Sequence, residues 1–178
     1  MRLFMLSLGF LLIGVLMNIV FNYYFLPVGL KINWMLIFLL VLTFRHSSIS
    51  LSFLGVFAGM ILDSLSHGYI GLYGISFFVS LLLARQLIKL FYANTFFAVS
   101  LAVSVMTILE GWISLSILGM LETEMYQSSL MLTSTLPLAV LHGLVTPFIL
   151  QSVIWGENHL SLIHISEPTR PRLISYAV

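Results

Sequence analysis

The sequence predicts an all-α integral membrane protein, a compact bundle of about six transmembrane helices. Three observations predict it. Across 178 residues the chain is 60% apolar and only 7% charged, with a mean hydropathy of +1.12. Soluble domains carry roughly a quarter charged residues, so a surface this poor in charge must face lipid. The apolar residues also gather in long runs separated by short polar breaks. Finally, none of these runs alternates polar and apolar residues as the strands of a membrane barrel do. In lipid the backbone must satisfy its own polar groups, so the runs are helices.

The first helix is expected over Leu3–Phe21, long enough for a hydrocarbon core of about 30 Å. It is too long for the apolar part of a cleaved leader, and Asn22-Tyr23-Tyr24 offers no small-residue cleavage site, so it is read as retained. The second spans 31–44; its apolar part, Trp34–Phe44, is short. The third and fourth follow over Ile49–Leu65 and Tyr73–Phe91. The fifth, Phe96–Leu121, is long and should tilt. The sixth is Leu130–Trp155. Together, residues 1–159 form one polytopic domain. Its short linkers place consecutive helices antiparallel.

Residues 160–178 depart from this pattern: they are polar and contain Pro168, Pro171, Arg170 and Arg172. Leu160–Arg170 back-translates into the text of a common transposase-type sequencing adapter. Ile174–Val178 back-translates into the flow-cell primer that follows it, with a barcode-sized gap at Pro171-Arg172-Leu173. The expectation is a non-native tail produced by adapter read-through, left out of the fold.

Lys and Arg in the loops set the orientation. With the N-terminus inside, Arg2, Arg45, Arg85 and Lys89 fall on the cytoplasmic side and Lys31 outside, near Glu122 and Glu124. Both termini are then cytoplasmic. Tyr23, Tyr24, Trp34, Tyr92 and Trp155 lie near helix ends, as interface anchors do.

Composition also excludes several chemistries. A net charge of +1 gives no basic face for nucleic acid. With no cysteine there is neither a disulfide framework nor a thiolate site. The five histidines form no ligand set, since His46 and His67 fall on opposite membrane faces, so no metal or cofactor is expected.

The densest motif is Gly55-Val-Phe-Ala-Gly59-Met-Ile-Leu-Asp63. Gly55, Gly59 and Asp63 recur every four residues and share one helix face. Glycines so spaced let another backbone come close, which is a main source of helix affinity in lipid. That face either packs inside the bundle or docks a partner helix. Asp63 is a costly residue in a membrane segment and should face protein or water, or cap the next turn. The loop that follows carries Gly68, Gly71 and Gly74, which allow positive φ and a tight entry into the fourth helix. It lacks the strand and the Lys-Ser/Thr of a phosphate loop.

Glu110 lies deep in the fifth helix, either as a proton or cation site or as a hydrogen-bonded lock to a neighbour such as His142. Pro137 and Pro147, with Gly143 between them, are expected to kink the sixth helix.

Taken in order, these features resemble the rod shape-determining membrane protein MreD family. The features are Pro27 and Asn33-Trp34 ahead of the second helix, Arg45-His46 after it, and Gly55/Gly59/Asp63 with the Gly68/Gly71 loop. Glu110 and Gly143/Pro147 complete the set. The resemblance covers Met1 to about Trp155. It implies a non-enzymatic scaffold of the cell-wall elongation complex in the bacterial inner membrane, needed for rod shape and lateral peptidoglycan synthesis. It further implies direct contact with the bitopic protein MreC, and weaker or indirect contact with MreB and the peptidoglycan synthase and its transpeptidase.

The fold it implies is similar to the six-helix substrate-binding subunits of energy-coupling-factor vitamin transporters. That makes a small-molecule transporter subunit the alternative function. Those subunits show an Ala-x-x-x-Ala motif on helix one, whereas Leu3–Phe21 contains no alanine.

Overall fold

Each of the six apolar runs closes its backbone hydrogen bonds along its own axis, as a helix. The computed structural model describes residues 2–25, 32–66, 69–90, 95–121 and 134–162. Among them the regular elements are all helices: α1 (Arg2–Phe25), α2 (Trp34–His46), α3 (Ile49–Ser66), α4 (Leu72–Leu90), α5 (Phe96–Leu121) and α6 (Leu136–Leu162). Three of them are long and apolar enough to cross a membrane, over Ile49–Ser66, Phe96–Met120 and Leu136–Asn158. The apolar stretches of the other three are shorter: Met5–Phe21, Trp34–His46 and Leu72–Ile88.

The centre of the bundle is α2. Every residue from Trp34 to Thr43 is buried, and α2 touches each of the other five helices. A helix apolar on all sides belongs in such a position. Its 13 residues reach only about 20 Å at 1.5 Å per residue, well short of the roughly 30 Å hydrocarbon core. The others are arranged around it: α3 packs most extensively on α4, α5 on α6, and α1 lies mainly along α2. Outward-facing side chains such as Leu12, Leu16, Phe97 and Phe148 are large and apolar, a surface that suits a membrane better than water.

Helix ends shift for identifiable reasons. The second helix starts at Trp34 rather than 31 because the Asn33 side chain accepts from the amide of Leu36 and caps it. It ends where Ser47 turns left-handed (φ 46°) and its N–H bonds the carbonyl of Thr43.

The sixth helix starts at Leu136 rather than 130. Pro137 therefore sits in its first turn, where proline is tolerated, and does not kink it. Pro147 lies inside the helix. There it removes the N–H that the carbonyl of Gly143 would accept. Beyond Trp155 the helix runs on through Leu162, into the first residues of the stretch set aside as a tail; residues 163–178 lie outside those described.

Candidate functional site

Among the described residues, three groups of buried polar side chains tie helices together.

The first is Asp63, at the end of α3 and almost wholly buried. Its Oδ2 accepts from the N–H groups of Gly71 (2.8 Å) and Gly74 (3.4 Å), and its Oδ1 from that of Tyr73 (3.0 Å). These are amides at the start of α4, which lack partners within their own helix. A carboxylate there also meets the positive end of the helix dipole.

Gly71 makes this turn possible with φ at +97°, a conformation glycine adopts freely. Gly74 belongs to α4 rather than to the loop. It is where the α4 backbone meets Gly59: a Cβ on Gly59 would run into Tyr73 and Gly74 backbone atoms. One on Gly55 would meet Leu81 Cδ1 at 2.5 Å. The stripe Gly55/Gly59/Asp63 is thus used up against α4 within the chain. A docking role for that face is corrected by this packing. Gly68 lies outside the described residues.

The second place is His142, fully buried on α6. Its Nε2 accepts from the backbone N–H of Asn33 (3.2 Å). The ring proton therefore lies on Nδ1 and is donated to Thr107 Oγ1 (2.9 Å), whose own hydroxyl donates to the carbonyl of Val103. Asn18 Oδ1 of α1 takes the next amide, that of Trp34 (3.2 Å). At the buried start of α2 the amides of Trp34, Asn33 and Leu36 are thus bonded by α1, by α6 and by the helix's own cap. Trp34 is a core residue whose ring lies tilted against that of Phe21, centroids 4.9 Å apart, and not an interface anchor; Tyr23, Tyr24 and Trp155 are exposed, and Tyr92 lies outside the described residues.

The third is Glu110 on α5, 6% exposed. Both Ser76 Oγ of α4 (3.2 Å) and Ser114 Oγ (2.8 Å) donate to its Oε1. Glu110 therefore locks α5 to α4, and pairing with His142 is corrected: each has its own partners. Glu110 also stands on the wall of a cleft of about 210 Å³ between the start of α4, α5 and the start of α6. Gly111 lets α6 approach there, since a Cβ on it would meet Thr135 Cγ2 at 2.6 Å.

At the other end of the bundle, Arg45 Nε and His46 Nε2 reach Glu157 at 3.0 and 2.7 Å, and Arg85 Nε donates to the carbonyl of Ser47 (3.1 Å). Sequence reasoning did not single out Asn18, Ser76, Thr107 or Glu157. For Asn18, Ser76 and Thr107 the available signal was isolation as a polar group in an apolar run; Glu157 stands beside Asn158 and His159 and carried no such signal.

No protein-family model, curated protein or solved structure matches the chain.

Proposed function

We propose that this chain is a non-enzymatic scaffold of the bacterial inner membrane, spanning it six times with both termini cytoplasmic. In this reading it serves the cell-wall elongation complex as the MreD family does. It binds MreC directly, and through MreC supports MreB and the peptidoglycan synthase and transpeptidase.

The observation that supports this reading best is the use made of the motif residues. Gly55, Gly59 and Asp63 join α3 to α4, Glu110 joins α5 to α4, and His142 joins α6 to α2 and α5. Residues spent on cross-bracing suit a body that presents a fixed surface. Gathering of Arg45, His46 and Arg85 at one end of the bundle supports the cytoplasmic assignment of that end.

In this reading the external part of MreC meets the α3–α4 turn, where Ile70 projects 81% exposed. The test is expression of the full chain in a rod-shaped bacterium depleted of its own MreD. Restored rods, with MreC recovered alongside the chain and lost on Ile70→Asp, are expected. Round cells with the protein present in the membrane would refute the proposal.

The vitamin-type transporter subunit is favoured by one observation, the cleft at Glu110. A vitamin co-purifying with the chain would support it.

A further inference from the structure

We infer that the cleft beside Glu110 binds a primary ammonium group carried on a small apolar body. This goes beyond the scaffold reading and does not depend on it. A buried carboxylate is costly unless a cation or strong donors compensate it. Around Glu110 the described partners are two neutral hydroxyls on a single oxygen, those of Ser76 and Ser114.

The described Arg45 and His46 pair with Glu157, and Arg85 with Ser47, at the opposite end of the bundle. In sequence, the connector 122–133 contains Glu122 and Glu124 and no Lys, Arg or His.

The lining specifies the kind of cation. Besides the carboxylate, the cleft is lined by the hydroxyl-bearing Ser114 and Thr135 and by Leu115, Leu118 and Leu138. An ammonium has three donors to distribute among such oxygens. Leucine walls suit an attached hydrocarbon and offer nothing to a hydrated metal ion. At about 210 Å³ the space is below the roughly 300 Å³ where sites for drug-sized ligands begin, so the body is small.

The ammonium has two sources, a soluble amine or the ethanolamine headgroup of a phospholipid, and the test separates them. The full chain is purified, and its thermal unfolding is followed with butylamine and benzylamine. Butanol and butyrate serve as controls. The measurement is repeated in nanodiscs of ethanolamine or choline phospholipids.

Stabilisation by the amines and not by the controls marks a soluble ligand. Stabilisation confined to ethanolamine discs marks the headgroup. In either case Glu110→Gln, which keeps an oxygen for Ser76 and Ser114, should weaken the response about tenfold or more. Leu118→Trp should do the same by filling the cleft with the carboxylate intact. Equal responses to amine and alcohol, no response in any arm, or a full response in Glu110→Gln or Leu118→Trp would overturn the inference.

Discussion

Replacing Asp63 by Asn changes almost no volume and tests the carboxylate alone. The amide has one acceptor oxygen. Placed at the Oδ2 position, it keeps the bonds from Gly71 and Gly74 and turns its NH₂ toward the Tyr73 N–H, which Oδ1 had accepted at 3.0 Å. A buried donor left unpaired costs about 1–3 kcal/mol. Loss of the negative charge at the α4 N-terminus adds about 0.3–2 kcal/mol. Together the loss is about 3 kcal/mol, roughly a hundredfold in the folding equilibrium and on the order of 10 °C in Tm for a chain of this length.

The assay is thermal unfolding of the purified chain, with Gly71→Ala beside it. That variant meets no atom and carries only the left-handed strain of about 1–2 kcal/mol. If Asp63→Asn unfolds within about 0.5 kcal/mol of the parent, the cap reasoning is wrong. If stability is unchanged while cells lose rod shape, the carboxylate acts on a partner instead of on the fold.

Gly59→Leu should separate α3 from α4 and cost about 3 kcal/mol or more, whereas Gly9→Ala, with nothing within 4 Å, should gain up to about 1 kcal/mol from helix propensity; thermal unfolding of the two variants distinguishes them. His142→Ala strips the Asn33 amide and Thr107 of their partner and should cost about 3 kcal/mol, seen as a lower Tm and faster amide exchange at the start of α2. Glu157→Gln breaks an ion pair whose Arg45 side chain is 43% exposed, so it should cost no more than about 1 kcal/mol, with the difference from the parent shrinking as salt is added.

The helices were legible because a long apolar run with few charges and no strand-like alternation reads as a helix whatever its neighbours are. Their contacts were legible only where spacing carries geometry. Gly55, Gly59 and Asp63 recur every four residues, so a shared close-packed face followed directly. That α4 occupies the face did not follow, because the pattern is the same for an internal neighbour and for a partner. The pairing of Glu110 with His142 failed for a related reason. Depth along two helices is readable from the chain, but rotation about each axis is not, and rotation sends Glu110 toward Ser76 and His142 toward Thr107. Asn18 and Glu157 went unnoticed because their partners, the amide of Trp34 and the side chains of Arg45 and His46, are far away in sequence.

The short central helix links these observations. A helix of about 20 Å inside the bundle must begin below one surface, so its first amides cannot rely on solvent. In this chain the compensation comes from several directions at once: Asn33 from the cap, Asn18 from α1 and His142 from α6. Unpaired buried amides cost about 1–3 kcal/mol each. The position of α2 is therefore set at its start by polar bonds and along its length by apolar packing. Sliding α2 along its axis would break those bonds before it opened the core, and rotating α1 or α6 would do the same. The polar residues most easily taken for a reaction centre thus fix the register of the bundle, and the carboxylate of Glu110, facing a cleft, is the one whose surroundings leave a place for a ligand.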